Sequence, residues 1–382
     1  MQHQPQREQT HELLKARGIE RALFANIATV KWLTGFNPPI QTGPSPFLGG
    51  PPLVWYENDH WTLMVMDWQT VNAGAFGEQE NCALASYTGY TVDQPLTGQV
   101  KLRALFREIV HTQLAGKIGI ELRDAPADIA LSLDSLSRHE HRAAELIPID
   151  TWLDPFRRIK TPEELHKMRD NFRLTDIGHA AARYAVVVGA REIDVWNAAH
   201  SAIERAAGQR VPLGNDCVVG YRQKNDGGWP LAYEIRAGDS VIVDLSTILH
   251  GYWNDSCATY YAGEPSAKQR AMHRTTERAL DLAISLVKPG AVAKEIDSAV
   301  REFMRKEGYP VYWHHTGHSL GVTSHEDPRI VPYNEMALQP NMVIMLEPGI
   351  YFSGETSVRL EDAVLVTNDG AEILSRHDKS IG

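Results

Sequence analysis

The chain of 382 residues lacks the features that mark secreted, membrane and nucleic-acid-binding proteins. Its three cysteines, Cys82, Cys217 and Cys257, are odd in number and far apart, so neither a disulfide framework nor a CxxC zinc site is expected. The formal net charge is −10, and no run of Lys or Arg offsets it locally, which excludes nucleic acid as an expected partner. No stretch approaches about 18 unbroken apolar residues, and the start MQHQPQREQTHELLKARG is polar. We therefore expect a cytoplasmic protein with no membrane partner.

The composition is that of a globular protein, with 43% hydrophobic and 23% charged residues and enough length for two domains. Early in the chain, short apolar runs such as HWTLMVMDW alternate with turn-rich segments such as NPPIQTGPSPFLGGPP, a pattern typical of a small α/β domain. The pattern then changes to a long helix, for which Thr161 is a good N-cap, Pro162 suits the first position and Glu164 completes a capping box. We predict an α/β (α+β) protein with domains at 1–155 and 156–382.

The second domain contains an internal repeat. Each copy holds a Gly-Ala pair followed by a Glu-Ile-Asp triplet: Gly189-Ala190 and Glu192-Ile193-Asp194 in the first, Gly290-Ala291 and Glu295-Ile296-Asp297 in the second. Each copy is followed by β-rich sequence that carries two acids. The repeat predicts a duplicated ααββ unit, with a site between two pseudo-twofold related halves.

The paired acids are Asp244 and Asp255 after the first copy and Glu347 and Glu361 after the second. A single acid ending an apolar run such as VIVD or MVIMLE is usually solvated. Four inward carboxylates in two repeated hairpins would repel one another by several kcal/mol unless protons or cations neutralised them. Two divalent ions would match four negative charges. An oxygen-rich site with one imidazole suits Mn²⁺, Co²⁺ or Zn²⁺, so we predict two such ions per chain.

Four histidines occur in HHTGHSLGVTSHEDP, residues 314–328. His318 lies between two small residues, which allows close approach to a metal ion, and it is the predicted imidazole ligand. His325 is expected to form a second wall of the pocket. The roles of His314 and His315 stay open. A zinc site built on an HxxxH pair, His314 with His318, is the rival interpretation, although the intervening threonine and glycine disfavour the helix that it needs.

The order of these motifs resembles the M24 metallopeptidase superfamily of methionine aminopeptidases, proline aminopeptidases and prolidases. The resemblance covers about residues 155–375 and rests on the two aspartates together with TGHSLGVTSHEDP, LEPGIY and VRLEDAVLVT. It implies a C-terminal pita-bread domain. The earlier segment ERALFANIATVKWLTGF resembles the creatinase-type N-terminal domain that accompanies the proline-specific members. A homodimer is also implied.

The resemblance implies a dinuclear hydrolase, in which a hydroxide between two ions attacks a carbonyl that the ions polarise. The implied ligands are Asp244 on one metal, His318 and Glu347 on the other, and Asp255 and Glu361 bridging both. Glu347 is placed to take a proton from the water. By family similarity, His325 would hydrogen-bond the substrate carbonyl or the tetrahedral intermediate. Arg359, two residues before Glu361, is expected to orient that carboxylate through a charge-assisted hydrogen bond.

The substrate side departs from the family pattern. Most peptidase members place a histidine shortly before the first aspartate, where it helps to handle the leaving group, but GYRQKNDGGWPLAYEIRAGD has none. Trp229 or a neighbour takes its place, and either Asp226 or a histidine of VYWHHTG could fill the role in space. Tyr333 lies near the position of the arginine that binds the substrate carboxylate in prolidases, and Arg222 is its candidate substitute or simply a solvated arginine. The candidate substrate-binding residues are Trp229, Tyr333, Arg222 and His314.

Three functions are compatible with these motifs. The leading interpretation is an Xaa-Pro dipeptidase or aminopeptidase, a metallo-exopeptidase that removes the N-terminal residue from small proline-containing peptides. The second is a non-peptidase enzyme on the same scaffold that acts on a small amide-like or zwitterionic metabolite, which the missing histidine favours. The third is a non-catalytic binding module, which would have no need of five metal ligands.

Overall fold

The computed structural model describes residues 3–38, 49–93, 98–110, 114–137, 144–222 and 228–381. The chain forms two compact units, Met1–Arg157 and Arg158–Gly382. Both contain helices and sheets, which confirms the predicted fold class. No helix in the described ranges combines the length and the apolar character needed to cross a membrane.

The first unit is built on a six-stranded sheet of order β4-β3-β2-β1-β5-β6. Its strands are β1 (Ile19–Phe24), β2 (Leu53–Glu57), β3 (His60–Met66), β4 (Cys82–Tyr87), β5 (Gly116–Ile120) and β6 (Ala144–Pro148). Its helices are α1 (Gln4–Ala16), α2 (Ile27–Thr34), α3 (Gly98–Ile109) and α4 (Ala127–Ser137), and a short α5 (Asp154–Arg158) follows. The antiparallel hairpin β2-β3 and the parallel pairs β1-β5 and β5-β6 make the sheet mixed.

A buried carboxyl group, Glu121, lies at the N-terminus of α2. It accepts hydrogen bonds from the backbone nitrogens of Ala25 and Asn26, at 2.8 and 2.7 Å, and from the hydroxyl of Thr29. Burial outweighs these bonds and raises the pKa of Glu121 to about 7. The site therefore couples the stability of the first unit to pH.

We expect the wild-type protein to lose stability relative to Glu121→Gln as pH rises from about 4.5 to about 7. The folded state binds the Glu121 proton more tightly than the unfolded state, so the free energy of unfolding falls through this window and is level above it. The shift corresponds to about 3 kcal/mol. Urea unfolding of both proteins across this pH range measures it, with exposed Glu20→Gln as the control. A constant difference between wild type and Glu121→Gln would contradict the coupling.

The second unit contains two packed halves that follow the repeat. Its long helices are α6 (Pro162–Ala185), α7 (Glu192–Ala207), α8 (Ala267–Leu286) and α9 (Ala293–Lys306). Thr161 caps α6 through the predicted capping box with Glu164, which confirms that helix start. Each half has its own hydrophobic core, one between α6, α7 and the first sheet and one between α8, α9 and the second.

The strands of the second unit form two five-stranded sheets and a hairpin. They are β7 (Leu213–Gly214), β8 (Cys217–Val219), β9 (Ser240–Leu249), β10 (Tyr252–Trp253), β11 (Ser256–Tyr261), β12 (Gly317–Ser319), β13 (Glu326–Ile330), β14 (Val343–Leu346), β15 (Gly349–Phe352), β16 (Thr356–Arg359), β17 (Asp362–Val366) and β18 (Ala371–Ile373). In the first sheet β9 pairs with β7, β8, β10 and β11, and the second has the order β13-β12-β14-β17-β18. The hairpin is β15-β16.

The repeat appears as matching backbone hydrogen bonds. Gly189 N donates to Ile235 O at 2.9 Å in the first half, and Gly290 N donates to Leu338 O at 2.8 Å in the second. The Gly-Ala pairs therefore occupy equivalent positions. The Glu-Ile-Asp triplets do not: α7 begins at Glu192 whereas α9 begins at Ala293, so the second triplet starts two residues further along its helix. That part of the sequence match is wrong, because Glu192 N donates to Tyr233 O where Ala293 N donates to Met336 O, so the counterpart of Glu192 is Ala293.

Candidate metal centre and active site

The four repeat-placed acids occupy corresponding places in the two halves. Asp244 lies within β9 and Asp255 directly precedes its antiparallel partner β11. Glu347 directly follows β14 and Glu361 directly precedes its antiparallel partner β17. All four side chains are buried. The backbone of Glu361 donates to Cys257 O at 2.9 Å, so the two hairpins are joined where the acids lie.

His318, in β12, points its Nε2 atom at these acids. Its Nδ1 donates to the carbonyl of Ser319 at 2.9 Å, and since a carbonyl only accepts, Nε2 is left unprotonated. Nε2 lies 3.8 Å from Asp255 Oδ2 and 3.7 Å from Glu347 Oε1. The preceding Gly317 is required, because a Cβ there would lie 1.9 Å from the backbone oxygen of Met345. A bare imidazole nitrogen held in this way is suited to metal binding.

The electrostatics of the acids call for positive charge. Burial, reinforced by Asp244, raises the pKa of Asp255 well above its ordinary value, and burial with Asp255 does the same for Glu361. Burial also raises the pKa of Asp244, although the Arg359 guanidinium opposes the shift. One buried oxygen of Glu361, Oε2, has no hydrogen-bond partner in the part of the chain that the structure describes. Charged carboxylates in such a place need cations.

The donor set fits divalent metal ions. Ligand atoms of Asp255, His318 and Glu361 lie within 4.8 Å of one another. Carboxylate oxygens with one imidazole suit Mn²⁺, Co²⁺ or Zn²⁺. The unpartnered oxygen of Glu361 is accounted for if it binds a metal ion.

Arg359 contacts different acids from the one expected. Its Nη2 donates to Asp216 Oδ2 at 3.0 Å and to Asp244, and no hydrogen bond joins it to Glu361 in the described part of the chain. The predicted orientation of Glu361 by Arg359 is therefore corrected. The spacing along one strand cannot show that the guanidinium reaches the acids of the other half.

Three further polar contacts reach the acids, two from Asn215, which the sequence did not single out, and one from His315. Asn215 donates from Nδ2 to one oxygen each of Asp244 and Asp255, both at 3.0 Å. His315, left open at first, places Nε2 2.7 Å from Glu347 Oε1. Burial is the largest single influence and favours the neutral form of Glu347, but the hydrogen bond from His315 and the nearby imidazoles of His314, His315 and His318 together outweigh it, so the pKa of Glu347 is lowered.

His314 is neutral and uses both ring nitrogens. Nδ1 donates to the carbonyl of His315 at 2.8 Å, so Nε2 accepts from the hydroxyl of Tyr351 at 2.9 Å. Burial lowers the pKa of His314 to about 4. With no lone pair left for a metal ion, His314 cannot form the rival zinc pair with His318.

His325 is exposed and lies next to His318 at the edge of the acid cluster. Its ring stacks on that of His318, with centroids 4.0 Å apart. Ring nitrogens of His315, His318 and His325 lie within 4.8 Å of one another. Three imidazoles thus border the side of the cluster on which Glu347 lies.

These residues lie within the part of the chain that matches a known protein family. Residues 166–368 match metallopeptidase family M24, which is more than half of the chain. The chain belongs to this family. The M24 chain is 32% identical over 245 residues to the Xaa-Pro dipeptidase of Pyrococcus furiosus, a match that covers 64% of this chain and 70% of that protein.

Solved structures agree with this M24 assignment. The prolidase from Pyrococcus furiosus is similar with a TM-score of 0.78 and 27% identity, over 96% of this chain and 99% of that chain. The prolidase from Pyrococcus horikoshii OT3 has the same fold, with a TM-score of 0.82 at 24% identity, over 98% and 99% of the two chains. The predicted fold, an N-terminal α/β domain followed by a pita-bread domain, is confirmed.

The substrate-binding candidates of the M24 chain are less well placed. Arg222 forms an ion pair with the buried Glu192 at 2.8 Å and donates to the backbone oxygen of Trp229. Its guanidinium is thus committed to holding a loop, and we withdraw it as a ligand for substrate. The side chains of Trp229 and Tyr333 are 69% and 78% exposed, and within the described ranges no hydrogen bond or ring contact joins them to the acids. Asp226 lies outside the described residues.

Proposed function

We propose that this chain is a dinuclear-metal Xaa-Pro peptidase, a dipeptidase or aminopeptidase that cleaves the bond before proline in small peptides. The observation that carries the proposal is the cluster of four buried acids and His318, drawn from both halves, with a buried oxygen of Glu361 left bare. The resemblance in sequence to an Xaa-Pro dipeptidase supports the substrate class.

In this proposal two divalent ions are held by five side chains. Asp244, Asp255, His318, Glu347 and Glu361 would hold these ions, with Asp255 and Glu361 as the two ligands that the resemblance assigns to both. The bound ions supply a nucleophilic water at neutral pH and polarise the scissile carbonyl. Asn215 donates to Oδ1 of Asp244 and Arg359 donates to its Oδ2, so both oxygens of this carboxylate are held in a fixed orientation.

Around the ions, protein groups handle protons and orient the substrate. Glu347 accepts the proton of the attacking water, and His315, hydrogen-bonded to Glu347, holds that carboxylate in its charged form. His325, exposed next to His318, donates to the substrate carbonyl oxygen. His314, hydrogen-bonded to Tyr351, lies beside His315 with ring centroids 6.2 Å apart.

A second candidate is a non-peptidase hydrolase for a small amide-like or zwitterionic metabolite. It is favoured by the absence of histidine from the segment before Asp244 and by the loss of Arg222 as a carboxylate ligand. Both features reduce the groups available for a peptide's leaving amine and carboxylate.

The test is a substrate screen on metal-loaded protein with known metal content. After loading with Mn²⁺, Co²⁺ or Zn²⁺, elemental analysis should find two ions per chain. Xaa-Pro dipeptides, longer Xaa-Pro peptides, matched Xaa-Ala peptides and N-acyl metabolites are then compared. Selective cleavage before proline supports the peptidase. Turnover confined to the metabolites supports the second candidate, and a protein that binds no metal ion contradicts both.

We further propose manganese as a native metal, a homodimer and a cytoplasmic location. All three cysteines are free and buried, as is common in a reducing compartment. Dimer formation follows from the resemblance noted in the sequence. Metal analysis of protein isolated without added metal tests the proposed manganese. Sedimentation of the purified protein tests the proposed homodimer.

A further inference from the structure

The C-terminal segment, residues 374–381, packs against the strands that follow the two proposed bridging acids. Leu374 N donates to Ala363 O at 2.8 Å, which docks the segment beside β17. The side chains of Ser375 and His377 are buried. The segment contains none of the residues assigned to the active site, yet several of its polar contacts reach residues next to Asp255 and Glu361.

His377 makes the central contact. Its Nε2 donates to the backbone oxygen of Cys257 at 3.2 Å. The same oxygen accepts the backbone N–H of Glu361 at 2.9 Å, and Cys257 lies two residues after Asp255. A single carbonyl therefore ties His377 to both bridging acids. Among the described residues the other ring nitrogen, Nδ1, has no hydrogen-bond partner and lies 3.8 Å from Asp176 Oδ1, so Nε2 makes the hydrogen bond of this buried ring.

The ring of His377 is held in place by a second buried histidine. His179 stacks on it with centroids 4.1 Å apart and planes 17° apart. His179 Nε2 lies 3.1 Å from the carbonyl of Ser256, the residue directly after Asp255, and its Nδ1 accepts from Tyr260. The pair of rings thus contacts the two consecutive backbone carbonyls that follow Asp255.

Lys379 provides a second anchor on the other strand. Its ammonium donates to Asp362 Oδ1 at 2.8 Å, and Asp362 directly follows Glu361. Ser375 donates to the same carboxylate oxygen at 2.6 Å. The segment therefore fixes β17 at its first residue, next to the acid with the bare oxygen.

We propose that His377, together with Lys379, is a positioning residue for the metal centre: the C-terminal segment holds the backbones of Asp255 and Glu361 at the separation that lets both carboxylates share two ions. The inference rests on the proposed dinuclear site. Its physical basis is preorganisation, since a ligand that must be reoriented on binding loses affinity for the metal.

The experiment measures Mn²⁺ affinity by competition with a chelating dye, well below the unfolding temperature of each variant. His377→Phe keeps a flat ring to stack on His179 but removes the donor, and should weaken Mn²⁺ binding by about tenfold, as loss of an outer-shell contact does elsewhere. His377→Gln restores a donor near the position of Nε2 and should bind within about twofold to threefold of wild type, given the usual scatter of such effects. Asp378→Asn, an exposed position of the same segment, is the matched control.

The outcomes separate a positioning role from a merely structural one. Loss of affinity in His377→Phe with recovery in His377→Gln supports the proposal, whatever the change in melting temperature. Wild-type affinity in His377→Phe overturns it while leaving the proposed function intact. If His377→Phe does not fold, Lys379→Met decides in its place: weakened Mn²⁺ binding supports the proposal and unchanged binding overturns it. A wild-type protein that binds no Mn²⁺, Co²⁺ or Zn²⁺ overturns the proposed function itself, and the inference with it.

Discussion

Glu361→Gln should lower kcat/KM by at least about a thousandfold while the protein still folds. The substitution removes one of the two bridging charges, and metal-ion stabilisation of the transition state is worth several kcal/mol, with each 1.36 kcal/mol equal to about tenfold in rate. The fold should persist because Gln has the same shape and relieves repulsion: burial and Asp255 already disfavour the charge on Glu361 in the metal-free protein. Steady-state kinetics and thermal unfolding of the metal-free protein measure both effects.

A matched control is available in the same half of the second unit. Glu355 is exposed and pairs with Lys268 on the surface, so Glu355→Gln should leave both kinetics and metal content unchanged. The metal-free Glu361→Gln protein should melt at or above the wild-type temperature. Full activity in Glu361→Gln would mean that the active site lies elsewhere, and a large drop in its melting temperature would mean that Glu361 is needed for folding.

For simple Xaa-Pro dipeptides we expect a turnover rate, measured at saturating substrate, about 10² to 10⁴ lower than for a substrate with an activated anilide leaving group. General acid–base assistance contributes this much to enzymatic rates, and the family histidine that handles the leaving amine is missing. Of the imidazoles near the acids, His314 uses both nitrogens and His315 commits Nε2 to Glu347. A good leaving group needs no such help, so its rate should be preserved.

The comparison needs one pair of substrates with the same N-terminal residue and a saturating metal concentration. A dipeptide kcat/KM at or above about 10⁵ M⁻¹s⁻¹, within the ordinary enzyme range, would contradict the expectation. It would show that a group already in the site protonates the amine. His315→Phe would then identify that group, since it should slow the dipeptide far more than the anilide if His315 is the donor.

The sequence predicted the site where its signals were local or repeated. An apolar run that ends in an acid can be recognised within a single strand. Because the same pattern recurs after a second pair of helices, the four acids could be grouped together. The capping box at Thr161 is equally local, because it involves residues three apart. His318 was predicted as a ligand from its small neighbours, and that role stays a prediction. In the structure the missing side chain of Gly317 makes room for the paired strand, because a Cβ there would lie 1.9 Å from Met345 O.

By itself, then, the sequence determined the fold class and the equivalence of the two Gly-Ala pairs, and it predicted five residues as one metal-binding cluster. Only the tertiary structure decided which groups surround them. Arg359 reaches Asp244 instead of Glu361, and Asn215 donates to both Asp244 and Asp255. His315 contacts Glu347, and His377 donates to the carbonyl of Cys257 that also accepts from Glu361 N. These contacts join residues up to 120 positions apart. They depend on strand register and on which strand lies beside which, and a shift of one residue in register would turn every side chain to the opposite face. Patterns read along one strand do not contain that information, because it is set by the packing of two halves against each other.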